Sequence, residues 1–502
     1  MRTLAPDVLK GIRRGIEKES LRVRPDGALS ALPHPVALGS ALTHPHITTD
    51  FSESQLELIT SPHEGVDACL EELTEIHKVV YRAIGGNAGD EILWAASMPC
   101  GLPGDDAIPL GRYGTSNVGR AKTVYRMGLS HRYGRRMQAI SGIHYNFSVP
   151  GTTSEQYFAL IRNFRRRSWL LLYLFGASPA VCASFVAGRK HELQELAPGT
   201  MYAPHGTSLR MGRLGYQSEA QASLAVSYNS LKSYTASLYD ALTKPYGPYE
   251  KIGILKNGEY LQLNTTLLQI ENEFYGTIRP KRRIWRGERP LHALRERGVE
   301  YVEVRLMDLD PFIAIGIGAG TMRFLDVFLL HCLLDESPDD TPEEIAANGR
   351  NQQAVALHGR KPGLILEIGK KQTPLAERAG QLLDACQPIA AALDAAHGGG
   401  TAYRDALKGA AALVANADAT PSARVLQAMA RNHGNSYVRF VLAESLLHAG
   451  SLRGLPPGPG VQKRFEHLAE ESLEEQRRIE AGDKVDFETF RQQYLSPALL
   501  KV

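Results

Sequence analysis

The chain has 502 residues, of which 43% are hydrophobic, 22% charged and 7% aromatic, so its composition is that of a large globular protein and excludes a fibrous or disordered one. The 57 basic and 54 acidic residues leave a formal charge of +3, which is too small to indicate a nucleic-acid partner. The five cysteines are widely spaced and form no Cys-x-x-Cys pair, which argues against a disulfide framework and a zinc site and predicts reduced thiols in the cytoplasm: Cys69, Cys100, Cys182, Cys332 and Cys386.

The first 60 residues predict two strands and no export signal. The N-terminal segment MRTLAPDVLKGIRR lacks the apolar stretch of a signal peptide, which also favours a cytoplasmic location. In GIEKESLRV, residues 15–23, polar and apolar side chains alternate, so Glu17 and Glu19 share one face of a strand. In QLELI, residues 55–59, Gln55 and Glu57 alternate with leucines in the same way.

Two apolar segments follow. Apolar residues recur at helical spacing from Val66 to Ile84, and Gly85 ends the pattern, so we predict an amphipathic helix. Residues 168–188 contain no charge over 21 positions, which is long enough for a membrane span. Gly176 and Pro179 interrupt this stretch, and we therefore predict a short buried helix followed by an irregular segment, with no membrane partner.

Three more segments in the first 310 residues alternate with period two and predict strands of a mixed or antiparallel sheet. They are HYNFSV, LLQIENEFY and YVEVRL, and their polar faces carry His144, Asn146 and Ser148; Gln269, Glu271, Glu273 and Tyr275; and Tyr301, Glu303 and Arg305.

Two basic runs, IRPKRR at residues 278–283 and GRAKTVYR at residues 119–126, are candidates for binding phosphate or carboxylate groups, although each alone is more typical of a solvated loop. The sequence GIGAG at residues 316–320 lacks the spacing of a dinucleotide-binding loop, and we interpret it as a turn before a helix at residues 321–334. His44-Pro-His46 has no accompanying ligand pair and is read as a loop.

After about residue 335 the chain becomes rich in Ala and Leu and reads as helical. We divide it into a catalytic region at residues 1–335 and a mainly helical region at residues 336–502 packed on it. The second region shows no cluster of catalytic side chains, and its charged last part is typical of a solvated helix face.

The strand faces are unusually rich in carboxylates. Any one of them alone is typical of an exposed antiparallel sheet, but such faces usually mix Lys, Thr and Ser. A surface with Glu17, Glu19, Glu57 and Glu303, and with Asp50 nearby, would repel itself unless cations neutralised it. Carboxylates suit Mg²⁺, and the single His144 adds tolerance of Mn²⁺. Magnesium in such sites completes its shell with water and nucleotide phosphates, which predicts ATP as a co-substrate.

The order of nine motifs between Leu9 and Cys332 resembles the proteobacterial type of glutamate-cysteine ligase. The motifs are GIEKESLRV, ALGSALTHPHITTDFSESQLELIT, SMPC, RYGTSNVGRAKTVYR, ISGIHYNFS, YLFGASPA, GTSLRMGRLGY, LQIENEFYGTIRPKR and GVEYVEVRLMDLDPF. The resemblance implies an α+β fold similar to the catalytic domain of glutamine synthetase, with an antiparallel sheet curved into a funnel and helices outside. It also implies that glutamate and cysteine are joined at the expense of ATP through γ-glutamyl phosphate, the first step of glutathione synthesis.

The same resemblance implies a role for particular residues. The magnesium positions are Glu17, Glu19, Asp50, Glu57, His144 and Glu303. Arg210 and Arg305 would contact the glutamate carboxylates or the transferred phosphoryl group, and Arg279 and Lys281 the nucleotide. The remaining substrate contacts, most of them in a pocket for the cysteine side chain, would be Phe51, Tyr125, Arg126, Leu129, Asn146, Tyr216 and Tyr275.

Alternatives remain at this point. Another ATP-dependent carboxylate-amine ligase of the same fold would differ in its amine acceptor. A nucleic-acid-binding protein that uses the arginine runs is opposed by the balanced charge and the acidic strand faces. Inhibition by glutathione and the oligomeric state are left open.

Overall fold

The computed structural model describes residues 4–85, 90–215, 219–222, 224–285, 287–369 and 371–500. Within them the protein is α+β, as expected. The strands are β1 Arg13–Val23, β2 Ile47–Thr49, β3 Gln55–Ile59, β4 Ile92–Leu93, β5 Ile143–Ser148, β6 Ala180–Cys182, β7 Gln194–Ala197, β8 Thr200–Tyr202, β9 Leu255–Lys256, β10 Glu259–Tyr260, β11 Ile278–Lys281, β12 Tyr301–Met307, β13 Ile365–Ile368 and β14 Lys371–Pro374.

Helices surround these strands and make up most of the C-terminal third. They are α1 Pro6–Lys10, α2 Val66–Ile84, α3 Asn117–Tyr133, α4 Arg135–Gln138, α5 Ser154–Arg167, α6 Trp169–Phe175, α7 Ala183–Val186, α8 Glu219–Ala222, α9 Leu231–Thr243, α10 Gly247–Glu250, α11 Pro290–Arg297, α12 Ala319–Leu334, α13 Pro342–His358, α14 Leu375–Ala396, α15 Ala402–Ala415, α16 Pro421–Asn432, α17 Tyr437–Arg453, α18 Val461–Ala481 and α19 Phe487–Tyr494.

The main sheet is antiparallel and, in the described residues, has seven strands in the order β11-β12-β5-β1-β3-β2, with β4 joined to β1. Side chains directly opposite one another on paired strands lie on the same face. The register therefore gathers the predicted polar residues on one face: Glu17 is paired with His144, Glu19 with Glu57, and Glu303 with Asn146.

The opposite face of the sheet is packed. Its apolar side chains are fully buried, and helices α2, α5 and α6 lie against it. A buried ion pair joins Arg14 of β1 to Asp326 of α12 at 3.1 Å, and Asp326 also accepts hydrogen bonds from Tyr145 of β5 and Tyr403 of α15. The C-terminal helices are thus fastened to the back of the sheet.

Several local predictions are confirmed. Helix α2 spans the predicted residues, and strands β1, β3, β5 and β12 lie where alternation indicated. The apolar segment at residues 168–188 forms the buried helix α6, after which the chain makes the short strand β6 and the helix α7. None of the helices in the described ranges is both long enough and apolar enough to cross a membrane.

The predicted strand at residues 267–275 is wrong. The segment contains a 3₁₀ turn at Glu271–Glu273 within irregular chain. Its carboxylates are buried in ion pairs, Glu271 with Arg289 at 2.7 Å and Glu273 with Arg132 at 2.8 Å. The polar residues alternate in this segment because each carboxylate has its own buried arginine partner, and not because the chain forms a strand.

The expectation of reduced thiols is wrong for two cysteines. Cys100, in the segment after β4, and Cys182, at the end of β6, form a disulfide across 82 residues of sequence. The other three cysteines are free and buried. The bond ties the segment after β4 to the small sheet of β6, β7 and β8.

His44 lies in the loop before β2, as predicted, and not in a metal site. Its ring stacks on Phe465 of α18, and its Nδ1 accepts hydrogen bonds from the backbone N–H groups of His46 at 3.1 Å and Ile47 at 2.9 Å. Burial and the neighbouring His46 lower the pKa of His44 to about 4, in keeping with a neutral ring that acts as an acceptor.

Candidate active site

The polar face of the main sheet carries a compact set of ionisable side chains, which we call the carboxylate face: Glu17, Glu19, Glu57, His144 and Glu303. Among the described residues, Glu17, Glu57 and His144 offer ligand atoms that lie within 4.8 Å of one another. His144 Nδ1 is 3.1 Å from Glu17 Oε2 and 3.8 Å from Glu303 Oε1, and its Nε2 is 3.5 Å from Glu19 Oε1. Four strands thus bring together residues that are far apart in sequence.

The carboxyl groups on this face repel one another, and this changes their pKa values. Burial and repulsion from Asp50 raise the pKa of Glu19 to about 8, although Arg210 and Arg305 oppose this. Burial and the neighbouring Glu17, Asp50 and Glu19 raise the pKa of Glu57 well above its ordinary value. A divalent cation bound among these oxygens would relieve the repulsion.

Glu303 differs from its neighbours because two cations contact it. Its Oε1 lies 3.2 Å from both Lys281 Nζ and Arg305 Nη1. Burial raises its pKa, but these cations outweigh burial and hold the pKa of Glu303 well below the ordinary value. Its second oxygen, Oε2, is buried without a hydrogen-bond partner in the described structure. Such an orphaned carboxylate oxygen is a ready metal ligand.

His144 can also serve as a ligand. Burial and the nearby Arg305 lower its pKa, so the imidazole is neutral at ordinary pH. A neutral imidazole offers a lone pair to a metal. Asn146, next on the same face of β5, donates a hydrogen bond to Glu17 Oε1 at 2.9 Å and fixes that carboxylate.

Asp50 lies beside the carboxylate face, in the loop after β2. Its charge raises the pKa of both Glu19 and Glu57. Its backbone carbonyl accepts hydrogen bonds from Arg126 and Tyr113, which hold the loop in position. The carboxyl group is therefore close to the predicted set, although it lies outside the tight cluster of three ligand atoms.

The predicted arginines lie at the edge of this face. Arg210 sits in the 3₁₀ turn Leu209–Met211, and its side chain donates to the carbonyl of Arg305 at 2.8 Å. Arg279 of β11 is opposite Glu303 in the sheet, but its guanidinium donates to the carbonyls of Asn272 and Phe274. Lys281, two residues on, contacts Glu303 directly and is the better placed of the two for a phosphate.

Four of the residues predicted to surround the side chain of cysteine lie in the described part of the chain: Phe51, Tyr125, Leu129 and Tyr275. Phe51 and Leu129 are buried, and the hydroxyl of Tyr275 accepts a hydrogen bond from Gln138 at 2.5 Å. Tyr125, on the same helix as Leu129, is also buried enough that its pKa is raised well above the ordinary value. Tyr216, predicted for this pocket, lies outside the described residues.

A cavity of about 340 Å³ opens between the arginines and helix α13. Arg210, Arg305 and Tyr275 line one side, while Asn348 and Gln352 of α13 line the other. Its volume is in the range of small-ligand sites. The C-terminal region, which sequence reasoning left without a role, therefore contributes side chains to the wall.

Sequence reasoning missed Asp308, at the end of β12. Its carboxylate accepts hydrogen bonds from the backbone of Ala177 and the hydroxyls of Ser178 and Ser208, and lies 4.0 Å from Arg210 Nη1. It therefore holds the turn that carries Arg210. Asp308 follows the bulge between Val304 and Met307, where the register of β12 shifts, so the alternation of the strand gave no signal for it.

A packed antiparallel sheet with a face of buried carboxylates, one imidazole and flanking cations defines an α+β enzyme site of the kind that handles phosphates. The sequence model of the family "Glutamate-cysteine ligase" matches residues 2–355. The glutamate-cysteine ligase of Azotobacter vinelandii is 49% identical over 96% of this chain and 94% of its own, and that of Pseudomonas fluorescens strain Pf0-1 is 48% identical over 98% and 95%. The chain belongs to the glutamate-cysteine ligase family.

Solved structures agree. The crystal structure of a glutamate-cysteine ligase from Francisella tularensis in complex with AMP has a TM-score of 0.92 and 37% identity, and covers 97% of this chain and 98% of that one. A bifunctional glutathione synthetase from Pasteurella multocida has a TM-score of 0.68 and 25% identity, covering 89% of this chain and 53% of that one. The fold is thus that of solved members of the family.

Proposed function

We propose that the protein joins the γ-carboxylate of glutamate to the amine of cysteine with hydrolysis of ATP to ADP, the first step of glutathione synthesis. The observation that carries this proposal is the similarity to family members across nearly the whole chain, combined with the carboxylate face that the register of the main sheet brings together. The solved relative with bound AMP supports an adenine nucleotide as co-substrate.

The fold proposed for residues 1–335 is glutamine-synthetase-like, with the carboxylate face as the inner wall of a funnel. The antiparallel order of the main sheet and its one packed face support this assignment. We propose that residues 336–502 buttress this region, as the bonds from Asp326 to the sheet and to Tyr403 suggest. The reaction is assigned to the cytoplasm.

The metal is proposed to be Mg²⁺, with Mn²⁺ tolerated. Glu17, Glu57 and His144 would hold one ion, and Glu19, Glu303 and Asp50 supply further oxygens nearby. The fit rests on the orphaned Oε2 of Glu303 and on the raised pKa values of Glu19 and Glu57. Bound magnesium would neutralise the phosphate oxygens and the developing charge on them.

The chain's own residues orient the reactants. Arg210 and Arg305 would hold the carboxylates of glutamate or the transferred phosphoryl group, and Lys281 and Arg279 the nucleotide phosphates. Phe51, Tyr125, Leu129 and Tyr275 would surround the side chain of cysteine, with Arg126 beside this pocket. Asn146 would keep Glu17 in place.

The chemistry proceeds in two displacements. The γ-carboxylate of glutamate attacks the γ-phosphorus of ATP, giving γ-glutamyl phosphate and ADP. The amine of cysteine then attacks the activated carbonyl, and phosphate leaves from the tetrahedral adduct. Water must be excluded between the two steps, since hydrolysis of the acyl phosphate would waste ATP. An apolar pocket discriminates weakly against isosteric side chains, by about 1 to 3 kcal/mol, so 2-aminobutyrate should also react.

Phosphate release tests the function. Purified protein with ATP and Mg²⁺ should release phosphate only when glutamate is present, and fastest when cysteine is added. Faster release with another amine would retain the ligase chemistry and change the acceptor. No release in any mixture would overturn the proposal. Adding glutathione to the same assay tests it as an inhibitor.

The variant Glu303→Gln tests the carboxylate face. Glutamine keeps the size of the side chain but loses the charge that Lys281 and Arg305 contact. We expect kcat to fall at least about 100-fold, as for loss of one electrostatic group in a desolvated site. Near-normal activity of a folded variant would refute the assignment. Glu300→Gln, on the same segment but half exposed, is the matched control and should keep its activity.

A further inference from the structure

A second site candidate lies beyond the 3₁₀ turn Leu209–Met211, on the side away from the carboxylate face. Two adjoining cavities of about 340 Å³ and 220 Å³ share Glu192, Leu193 and Leu357 in their walls. We call them together the basic groove. Leu209 and Leu214 complete an apolar floor in the smaller cavity.

Basic side chains outnumber acidic ones on the rim of the basic groove. Six basic side chains line it, against the single carboxylate of Glu192: Lys190, His191, His205, Arg213, His358 and Lys361. In the part of the chain that the structure describes, none of the six takes part in an ion pair. Partial burial and the nearby basic groups Arg360, His358 and Lys361 lower the pKa of His205.

The basic rim and the apolar floor together indicate which class of ligand the groove would bind. A bound anion would bring opposite charge to these basic groups, and its apolar part would cover the apolar surface that lines the two cavities. Inorganic phosphate alone would leave that surface wet. The complement is therefore a small organic dianion with an apolar body.

The basic groove also shares a wall with the candidate active site. Leu209 and Gly212 face the groove, while the intervening Arg210 and Met211 face the cavity beside the carboxylate face. Thr207, two residues before this turn, is fastened to the end of α13. It donates from its backbone N–H to the carbonyl of Ala356 and from its hydroxyl to the carbonyl of Val355, both at 2.9 Å. An occupant of the groove would therefore contact the turn on the side opposite the guanidinium of Arg210.

We propose that the basic groove binds a small organic dianion with an apolar body and that binding stiffens the turn carrying Arg210. The site is distinct from the carboxylate face, and its binding does not depend on the reaction proposed above. Its role would be to link the level of an anionic metabolite to the geometry of Arg210.

Calorimetric titration with phenyl phosphate, in the presence of EDTA and without nucleotide, tests binding. The charge-reversal variant Lys190→Glu/Lys361→Glu should bind at least tenfold more weakly than the unaltered protein. The control Lys408→Glu/Lys463→Glu makes the same charge change on exposed, unpaired lysines of α15 and α18 and should bind normally. Inorganic phosphate should bind more weakly than phenyl phosphate. The milder pair His205→Gln/His358→Gln replaces the first variant if that one does not fold.

Hydrogen exchange tests the link to Arg210. Backbone N–H groups of residues 209–212 should exchange more slowly when phenyl phosphate is added to the unaltered protein. In the charge-reversal variant their exchange rates should not change. Absence of binding, equal binding by the groove and control variants, or equal affinity for inorganic phosphate would overturn the site. Binding without altered exchange would overturn the stiffening of the turn.

Discussion

Replacing Glu19 with glutamine is expected to stabilise the metal-free protein and to weaken its response to magnesium. Glu19 is buried on β1, with its pKa raised to about 8 by burial and by Asp50. The backbone N–H of Gly142 donates to Glu19 Oε2 at 2.8 Å. The amide oxygen of glutamine can accept the same bond, so the variant removes the ionisable group and keeps the hydrogen bond.

The magnitude follows from the two pKa values. In the unfolded chain the carboxyl ionises near 4.5, and in the folded protein near 8. Because the folded pKa is raised, the unfolded state releases its proton first as pH rises. Between about pH 4.5 and 8 this lowers the free energy of unfolding by about 1.4 kcal/mol per pH unit. At pH 7 this destabilises the folded protein by about 3 kcal/mol, and at pH 5 by about 1 kcal/mol. Glutamine, which does not titrate, should recover these amounts.

Urea unfolding in EDTA at pH 5 and pH 7 measures this gain. Magnesium should then raise the unfolding midpoint of the unaltered protein by mass action and that of Glu19→Gln much less. Glu474→Gln, exposed on α18, is the control and should change neither quantity. The reasoning is refuted if Glu19→Gln is less stable than the parent at pH 7, or if its gain is the same at both pH values.

Three further predictions concern other parts of the molecule. The pKa of His44 is depressed to about 4, so its contribution to stability is present above pH 6.5 and is lost as pH falls. His44→Asn keeps a hydrogen-bond acceptor but does not titrate. Between pH 7.5 and 5 its free energy of unfolding in urea should therefore fall by about 2 kcal/mol less than that of the unaltered protein. Equal losses would contradict this. Tyr275→Phe loses the hydrogen bond from Gln138 and should raise KM for cysteine about three- to tenfold with little change in kcat, whereas a fall in kcat alone would point to another role. Cys100→Ser should lower the stability of the oxidised protein by up to about 4 kcal/mol and make its unfolding midpoint insensitive to dithiothreitol; a midpoint that still responds to dithiothreitol would be inconsistent with this bond.

Alternation along strands predicted much of the carboxylate face. Glu17, His144 and Glu303 lie on strands that are packed on one side only. The alternation of polar and apolar residues therefore predicts correctly which face of the sheet they occupy. The same signal failed at Glu271 and Glu273, because each carboxylate has its own buried arginine and the backbone between them turns. A pattern of polar residues does not distinguish one shared face from two separate partners.

The remaining omissions are features of tertiary structure. Cys100 and Cys182 come together only because the segment after β4 packs against β6, and nothing local indicates that contact. Asp308 acts through Ser178 and Ser208, which lie about 100 or more residues away in sequence. Asn348 and Gln352 look like ordinary residues of a polar helix until α13 is placed beside the arginines.

The order of strands in the main sheet has a consequence for synthesis. Residues that lie side by side on the carboxylate face are made far apart in time, because β1 pairs with β5 and β5 with β12, whose Glu303 emerges last. Glu17, Glu57 and His144 lie on β1, β3 and β5, so this cluster is made within the first 148 residues. Glu303 and the two cations that contact it, Lys281 and Arg305, come later. The early ligands are therefore available to a metal ion before β11 and β12 complete the sheet.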